Sequence, residues 1–162
     1  MKHVLGDLLD KAENGEFDVI IQGCNCFNTM GGGLALTIRT RYPQAYEADC
    51  KTKRGDREKL GTYTKAEVGM GLHSFTVINA YTQYYFGVTK ENPDLFEYEA
   101  FKKILKQVRA DFPDKKIGLP LIGCGLAGGN KEQILKIMSE ELESVDYTLV
   151  EFSPSPKIIK SF

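Results

Sequence analysis

The chain has 162 residues, 42% hydrophobic and 27% charged, the make-up of a single globular domain. A net charge of −1 excludes bulk electrostatic attraction to nucleic acid or to a membrane surface. No apolar run approaches the ~20 residues of a membrane span and the first residues carry no signal-peptide core, so a cytoplasmic protein with reduced cysteines is expected.

Residues 2–5 can form a short edge strand. A brief helix over 8–13 follows, stopped by Asn14-Gly15. Asp7 is placed to cap that helix; the same carboxylate, at a strand end, could also accept an amine from a ligand. Residues 17–22 read as a buried strand. The loop after it, with Cys24, Asn25, Cys26 and Asn28, ends in Gly31, Gly32 and Gly33 and leads into a helix over 34–42. Leu34, Ile38 and Tyr42 share one face of that helix, and Pro43 separates it from a more polar helix over 44–54. Lys51, Lys53, Arg54 and Arg57 make a small basic cluster, of a kind that is usually just solvated.

Strands are expected over 61–68 and 74–82, the second central, with a turn over 69–72 between them. Tyr84, Tyr85 and Phe86 then form an aromatic loop, either a packed cover over the sheet end or a wall for a sugar or base. Asn92-Pro93-Asp94 opens the strongest helix, with Leu95, Tyr98, Phe101, Ile104, Leu105, Val108 and Phe112 as its apolar stripe. A strand over 116–122 runs into a second glycine loop, Gly123-Cys124-Gly125-Leu126-Ala127-Gly128-Gly129. Asn130 caps a helix carrying Ile134, Ile137, Met138 and Leu142, and residues 147–152 form the last strand before a tail over 153–162. Strands alternate with helices, which gives an α/β fold with helices on both faces of a mixed sheet.

Both glycine loops join a strand to a helix, so both lie at the carboxyl edge of the sheet, where open α/β folds bind ligands. Glycines admit a close backbone approach, and helix N-termini offer unpaired N–H groups and partial positive charge. Two such loops facing each other would clamp a diphosphate. Gly123-x-Gly125-x-x-Gly128 matches a dinucleotide-binding fingerprint, but only one strand follows it, too little for a second mononucleotide half. No P-loop is present, and the C-x-C pair Cys24 and Cys26 lacks the further spaced ligands of a zinc site. Neither a metal nor a cofactor is expected.

Gly6-Asp7-Leu8, Asn25 with Gly31-Gly32-Gly33-Leu34-Ala35, Gly118-Leu119-Pro120-Leu121-Ile122-Gly123-Cys124-Gly125-Leu126, and a last strand ending in Phe152 together resemble the macrodomain family over residues 1–152. The resemblance implies a three-layer α/β/α sandwich that binds ADP-ribose. The G-C-G-L loop is most similar to the branch of ADP-ribose-1''-phosphate phosphatases and terminal ADP-ribose hydrolases. By the same resemblance, Asp7 and Leu8 would take the adenine amino group and Phe152 would stack on the ring. Gly31, Gly32, Gly33 and Leu34 would hold the distal ribose and a phosphate, and Gly123, Cys124, Gly125, Leu126 and Ala127 would wrap the diphosphate.

The sequence departs from that pattern wherever the family carries a reactive group. Gln83 stands at the lysine of the terminal hydrolases, Ala127 at their aspartate, Ala35 at an acid of other hydrolases and Met30 at a viral histidine. Removal of ADP-ribose from protein or nucleic acid is therefore disfavoured. Hydrolysis of a phosphate monoester by positioning remains, with Asn25 and Asn28 as the expected catalytic pair. Cys24 or Cys26 as a nucleophile is a weaker alternative, because no cation stands near them in sequence. The expected partner is ADP-ribose or a derivative, free or on a macromolecule, and the expected state is a monomer. The alternative readings are a non-catalytic ADP-ribose reader and a hydrolase that removes ADP-ribose from protein or nucleic acid.

Overall fold

The computed structural model describes residues 2–69, 73–87, 90, 95–124 and 128–153. In chain order its elements are β1 (Lys2–Gly6), α1 (Leu8–Glu13), β2 (Val19–Cys24), α2 (Gly33–Arg41), α3 (Pro43–Cys50), a 3-10 turn (Arg57–Lys59), β3 (Tyr63–Val68), β4 (Phe75–Tyr81), α4 (Tyr98–Asp111), β5 (Lys116–Leu119), α5 (Lys131–Glu141) and β6 (Asp146–Phe152). The strands form one sheet in the order β1-β6-β5-β2-β4-β3. Only β3 runs antiparallel to its neighbour; the other pairs are parallel. The sheet is thus mixed, and the carboxyl ends of five strands share one edge.

Strand alternation sorts the apolar residues of β2 onto two faces. Val19 and Ile21 point into a core with α4 and α5, while Ile20 points into a core with α1, α2 and α3. Both faces of the strand are covered, as its unbroken apolar run requires. In α4, Phe101, Ile104, Leu105 and Val108 recur at i, i+3, i+4 and i+7 and are wholly buried. Each contributes roughly 1.5–3 kcal/mol on leaving water. The result is a three-layer α/β/α sandwich.

Several boundaries differ from those expected. β2 starts at Val19 rather than Phe17. α3 ends at Cys50, not at Arg54, because Thr52 turns back on Asp49: its N–H (3.0 Å) and hydroxyl (2.6 Å) both donate to the Asp49 carbonyl. β5 stops at Leu119, since Pro120 has no N–H to continue the ladder. α4 begins at Tyr98, so Leu95 lies outside the helix; Phe96 bridges to Gln83, and the Glu97 N–H donates to the Thr82 carbonyl (2.8 Å). The expected helix opening over 92–94, most of the turn over 69–72, and the tail beyond Ser153 lie outside the described residues.

Candidate functional site

A cavity of about 660 Å³ opens at the carboxyl edge of the sheet. Its walls come from the end of β2 (residues 22–25), the loop into α2 (29–35), Asp49 of α3, residues 82–83 and 86 beyond β4, and residues 120–123 beyond β5. The sheet order explains this placement: β2 lies between β5 and β4, so its end faces both following loops. Both glycine loops border one cavity, the first with Gly31, Gly32, Gly33 and Leu34, the second through Gly123.

Gly33 opens α2 with φ +55, and a Cβ built there meets nothing within 4 Å. Behind it the first turn of α2 carries unpaired N–H groups. Gly123 has φ +79, and its missing Cβ would sit 2.3 Å from the Phe96 ring. The Gly129 N–H donates to the Gly123 carbonyl (2.7 Å), which closes the second loop at its base. Cys124 is half-buried against the core of α4 and α5. Gly125, Leu126 and Ala127 lie outside the described residues.

Asn25 stands on the cavity wall. Its Oδ1 accepts from the Phe27 N–H (2.8 Å) and its Nδ2 donates to Thr29 Oγ1 (2.7 Å), so the amide is held in one orientation. Asn28 does not line the cavity, contrary to its expected place beside Asn25. Its φ of +56 turns the chain, its Nδ2 donates to the Thr52 carbonyl (3.1 Å), and its Oδ1 accepts from Lys59 Nζ (2.7 Å). Lys59 is buried, with Thr52 Oγ1 (2.8 Å) as a second acceptor. Asn28 therefore ties the loop to a buried cation.

Asp7 caps α1, Oδ1 accepting from the N–H groups of Leu9 (2.9 Å) and Asp10 (3.0 Å), and Leu8 is buried in the helix. Phe152 ends β6 and is 75% exposed. Gly6 and Phe152 are paired in register, so Asp7 and Phe152 stand together, beside the cavity rather than in it. Three strand steps separate β1 from β2, about 14 Å at the usual spacing. The aromatic loop packs as a cover and also borders the cavity. Tyr84 packs edge-on against Phe27 (4.9 Å between centroids), while Phe86, half exposed, forms part of the cavity wall. Arg57 lies over the Tyr84 ring at 3.8 Å.

The positions at which the resemblance implies reactive groups carry none among the described residues. Met30, Ala35 and Gln83 all line the cavity, and the Gln83 amide donates to the Tyr85 carbonyl (2.9 Å). The cysteines are unsuited to attack: burial pushes the Cys24 thiol well up, with Asp49 and Cys26 adding to it, and raises Cys26 to about 11. Lys59 and Arg57 do lie near Cys26, but burial outweighs them.

One acid at the cavity was not anticipated. Asp49 lies in the helix read as polar, yet it is 1% exposed. Its Oδ1 accepts from the Tyr81 hydroxyl (2.7 Å), and Oδ2 is buried without a partner among the described residues. Burial raises its pKa, opposed by the Tyr81 hydrogen bond and by Lys59. Gln22 Oε1 and Thr82 Oγ1, also in cavity-lining residues, are likewise unpartnered. The available signal was the i, i+4 spacing of Ala45 and Asp49, which places both on the buried face of α3.

Known proteins share this architecture. The chain is 31% identical over 160 residues, 95% of its length and 97% of the relative's, to an uncharacterized 17.5 kDa protein in the tk-vs intergenic region of Enterobacteria phage T4. Over 46 residues, 28% of this chain and 21% of the relative, it is 37% identical to an ADP-ribose 1''-phosphate phosphatase of Aspergillus oryzae. The macrodomain of Mycobacterium tuberculosis DarG has the same fold, with a TM-score of 0.68 at 22% identity over 96% of this chain and 100% of that one. So does Thermosipho africanus DarTG in complex with ADP-ribose, with a TM-score of 0.70 at 14% identity over 100% of this chain and 44% of that one. A family model, the Macro domain, matches residues 21–138, and the chain belongs to the macro domain family.

Proposed function

We propose that residues 1–152 form one ADP-ribose-binding unit that removes the phosphate from ADP-ribose-1''-phosphate. The observation that carries this reading is the single cavity bordered by both glycine loops, with Asp7 and Phe152 beside it on the same sheet edge. In this reading adenine lies at the ends of β1 and β6, between Asp7 and Phe152. The diphosphate crosses the end of β5 at Gly123, and the distal ribose reaches Asn25 at the end of β2. The resemblance to macrodomains, the short stretch shared with the Aspergillus oryzae phosphatase, and the like fold of a protein solved with ADP-ribose support it.

The chemistry fits a positional mechanism. Attack of water on a phosphate monoester needs alignment and charge stabilisation more than a covalent partner. The backbone N–H groups that open α2 would hold the phosphate oxygens. Asn25 would orient the distal ribose. Loss of ADP-ribose from a protein or nucleic-acid side chain is less supported, because Gln83 cannot form a Schiff base. A second reading, a reader without chemistry, is favoured by one observation: Met30, Ala35 and Gln83, at the cavity positions where the resemblance implies reactive groups, are not titratable.

Two measurements decide. Calorimetry with ADP-ribose tests the site, and no binding at millimolar ligand would end both readings. Phosphate release from ADP-ribose-1''-phosphate tests the activity: turnover above a heat-treated control supports the phosphatase, and binding without turnover selects the reader.

A further inference from the structure

Two buried, unpartnered acceptors belong to residues that line the same cavity on the same side of the sheet. Gln22 Nε2 donates to Asn79 Oδ1 (2.8 Å), and Asn79 Nδ2 donates to the Ala45 carbonyl (2.9 Å) of α3. A carbonyl only accepts, so this chain fixes both amides: Gln22 Oε1 is the atom left over. One turn along α3 from Ala45, the Asp49 carboxylate has Oδ1 held by Tyr81, and Oδ2 is left over. Both residues are 1% exposed and both line the cavity. Buried polar atoms without partners are rare because each costs about 1–3 kcal/mol.

The two orphans select a ligand chemistry. Both are acceptors, and Asp49 favours donors all the more when ionised. A phosphate oxygen would be repelled there; a hydroxyl would be bound. The phosphate groups must then lie toward the N–H groups of the glycine loops, and a sugar toward Gln22 and Asp49. We propose that Asp49, with Gln22, forms an inner acceptor pair that takes the hydroxyls of the distal ribose and so separates ADP-ribose from ADP. The proposal rests on the ADP-ribose reading above and adds a specificity residue to it.

The test is calorimetry of ADP-ribose and ADP on the full chain, as wild type and as Asp49→Asn. The Asn variant keeps the shape and an acceptor for Tyr81, but turns a donor toward the cavity. The expected result is a wild type that prefers ADP-ribose, and a variant whose ADP-ribose affinity falls about tenfold while ADP affinity stays unchanged. An unchanged preference in Asp49→Asn overturns the proposal and leaves the ADP-ribose reading intact. Wild type binding neither ligand overturns both. Should the variant lose ADP as well, the wild type is titrated with ADP-ribose lacking the distal 2''- and 3''-hydroxyls: a tenfold loss supports the proposal, and equal affinity overturns it.

Discussion

Tyr81 donates its hydroxyl to Asp49 at the end of a one-way relay. Asn79 Nδ2 donates to Thr64 Oγ1 (3.1 Å), the Thr64 hydroxyl turns its proton to Tyr81 (3.0 Å), and Tyr81 donates to Asp49 Oδ1 (2.7 Å). The relay crosses from β3 and β4 to α3 and fixes the carboxylate at the cavity. Burial raises the Tyr81 pKa and the neighbouring carboxylate adds to it, opposed by the hydrogen bond from Thr64.

Asp49 makes stability depend on pH with a defined sign. Burial raises its folded pKa above the ordinary 3.8, so between the unfolded and the folded pKa the folded state holds a proton that the unfolded chain has lost, and above the folded pKa both states carry the carboxylate. The contribution is fully present below the unfolded pKa and declines as pH rises through the folded value. Lys59, Tyr81, Cys24, Cys26 and Tyr46 are titratable neighbours, and only Lys59 and the Tyr81 hydrogen bond favour the carboxylate. Urea unfolding of wild type and Asp49→Asn from about pH 4 to about pH 8 should show wild type losing stability relative to the variant as pH rises. A constant difference would mean that Asp49 titrates alike in both states.

The two cavity glycines are predicted to fail differently. Gly123→Ala places a Cβ 2.3 Å from Phe96 at φ +79, so the ring and the turn must both move. A loss of roughly 2–4 kcal/mol in unfolding free energy is expected, from overpacking and backbone strain together. Gly33→Ala meets no atom within 4 Å and carries only the strain of φ +55, about 1–2 kcal/mol. Its methyl group would stand at the cavity-lining N-terminus of α2, so ADP-ribose affinity should fall more than stability does. Thermal unfolding paired with calorimetry separates the two.

Asn25 and Asn28 should likewise divide. Asn28→Ala removes an acceptor from the buried Lys59 ammonium, and about 1–3 kcal/mol of stability should be lost. Asn25→Ala frees a loop at the cavity wall and, under the proposed phosphatase activity, should lower kcat on ADP-ribose-1''-phosphate by tenfold or more, with a smaller change in KM. Denaturant unfolding and steady-state kinetics on both variants check this; a reversed pattern would move the chemistry to Asn28.

Elements with a strong period were readable from the sequence. Asn14-Gly15 marked the end of α1, and the stripe of α4 was visible from Phe101 to Val108. Boundaries set by long-range bonds were not. The start of α4 depends on Phe96 bridging Gln83, and the end of α3 depends on Thr52 turning back on Asp49. At the site, glycine loops announce themselves because backbone approach needs glycine. The Asp49 environment does not: its partner Tyr81 is 32 residues away, and only the packing of α3 on β4 brings them together. Asn28 misled for the same reason, since Lys59, 31 residues on, is what engages its amide.

The cysteines give a last separation of roles. Cys24 and Cys26 are buried with raised thiol pKa values, and Cys50 is exposed. A thiolate-directed alkylating reagent near pH 7.5 should therefore modify Cys50 first, with Cys24 and Cys26 protected in the folded protein (about 1 in 1,000 or fewer of the Cys26 thiols ionised at its pKa of about 11). Mass spectrometry of peptides against time of labelling reads this order. Under the proposed phosphatase activity, Cys26→Ala should leave turnover within about threefold of wild type, because the thiol donates to the Gln83 carbonyl at 3.5 Å and so supports the loop. Rapid alkylation of Cys24 or Cys26, or loss of activity with either, would restore a thiol mechanism in place of a positional one.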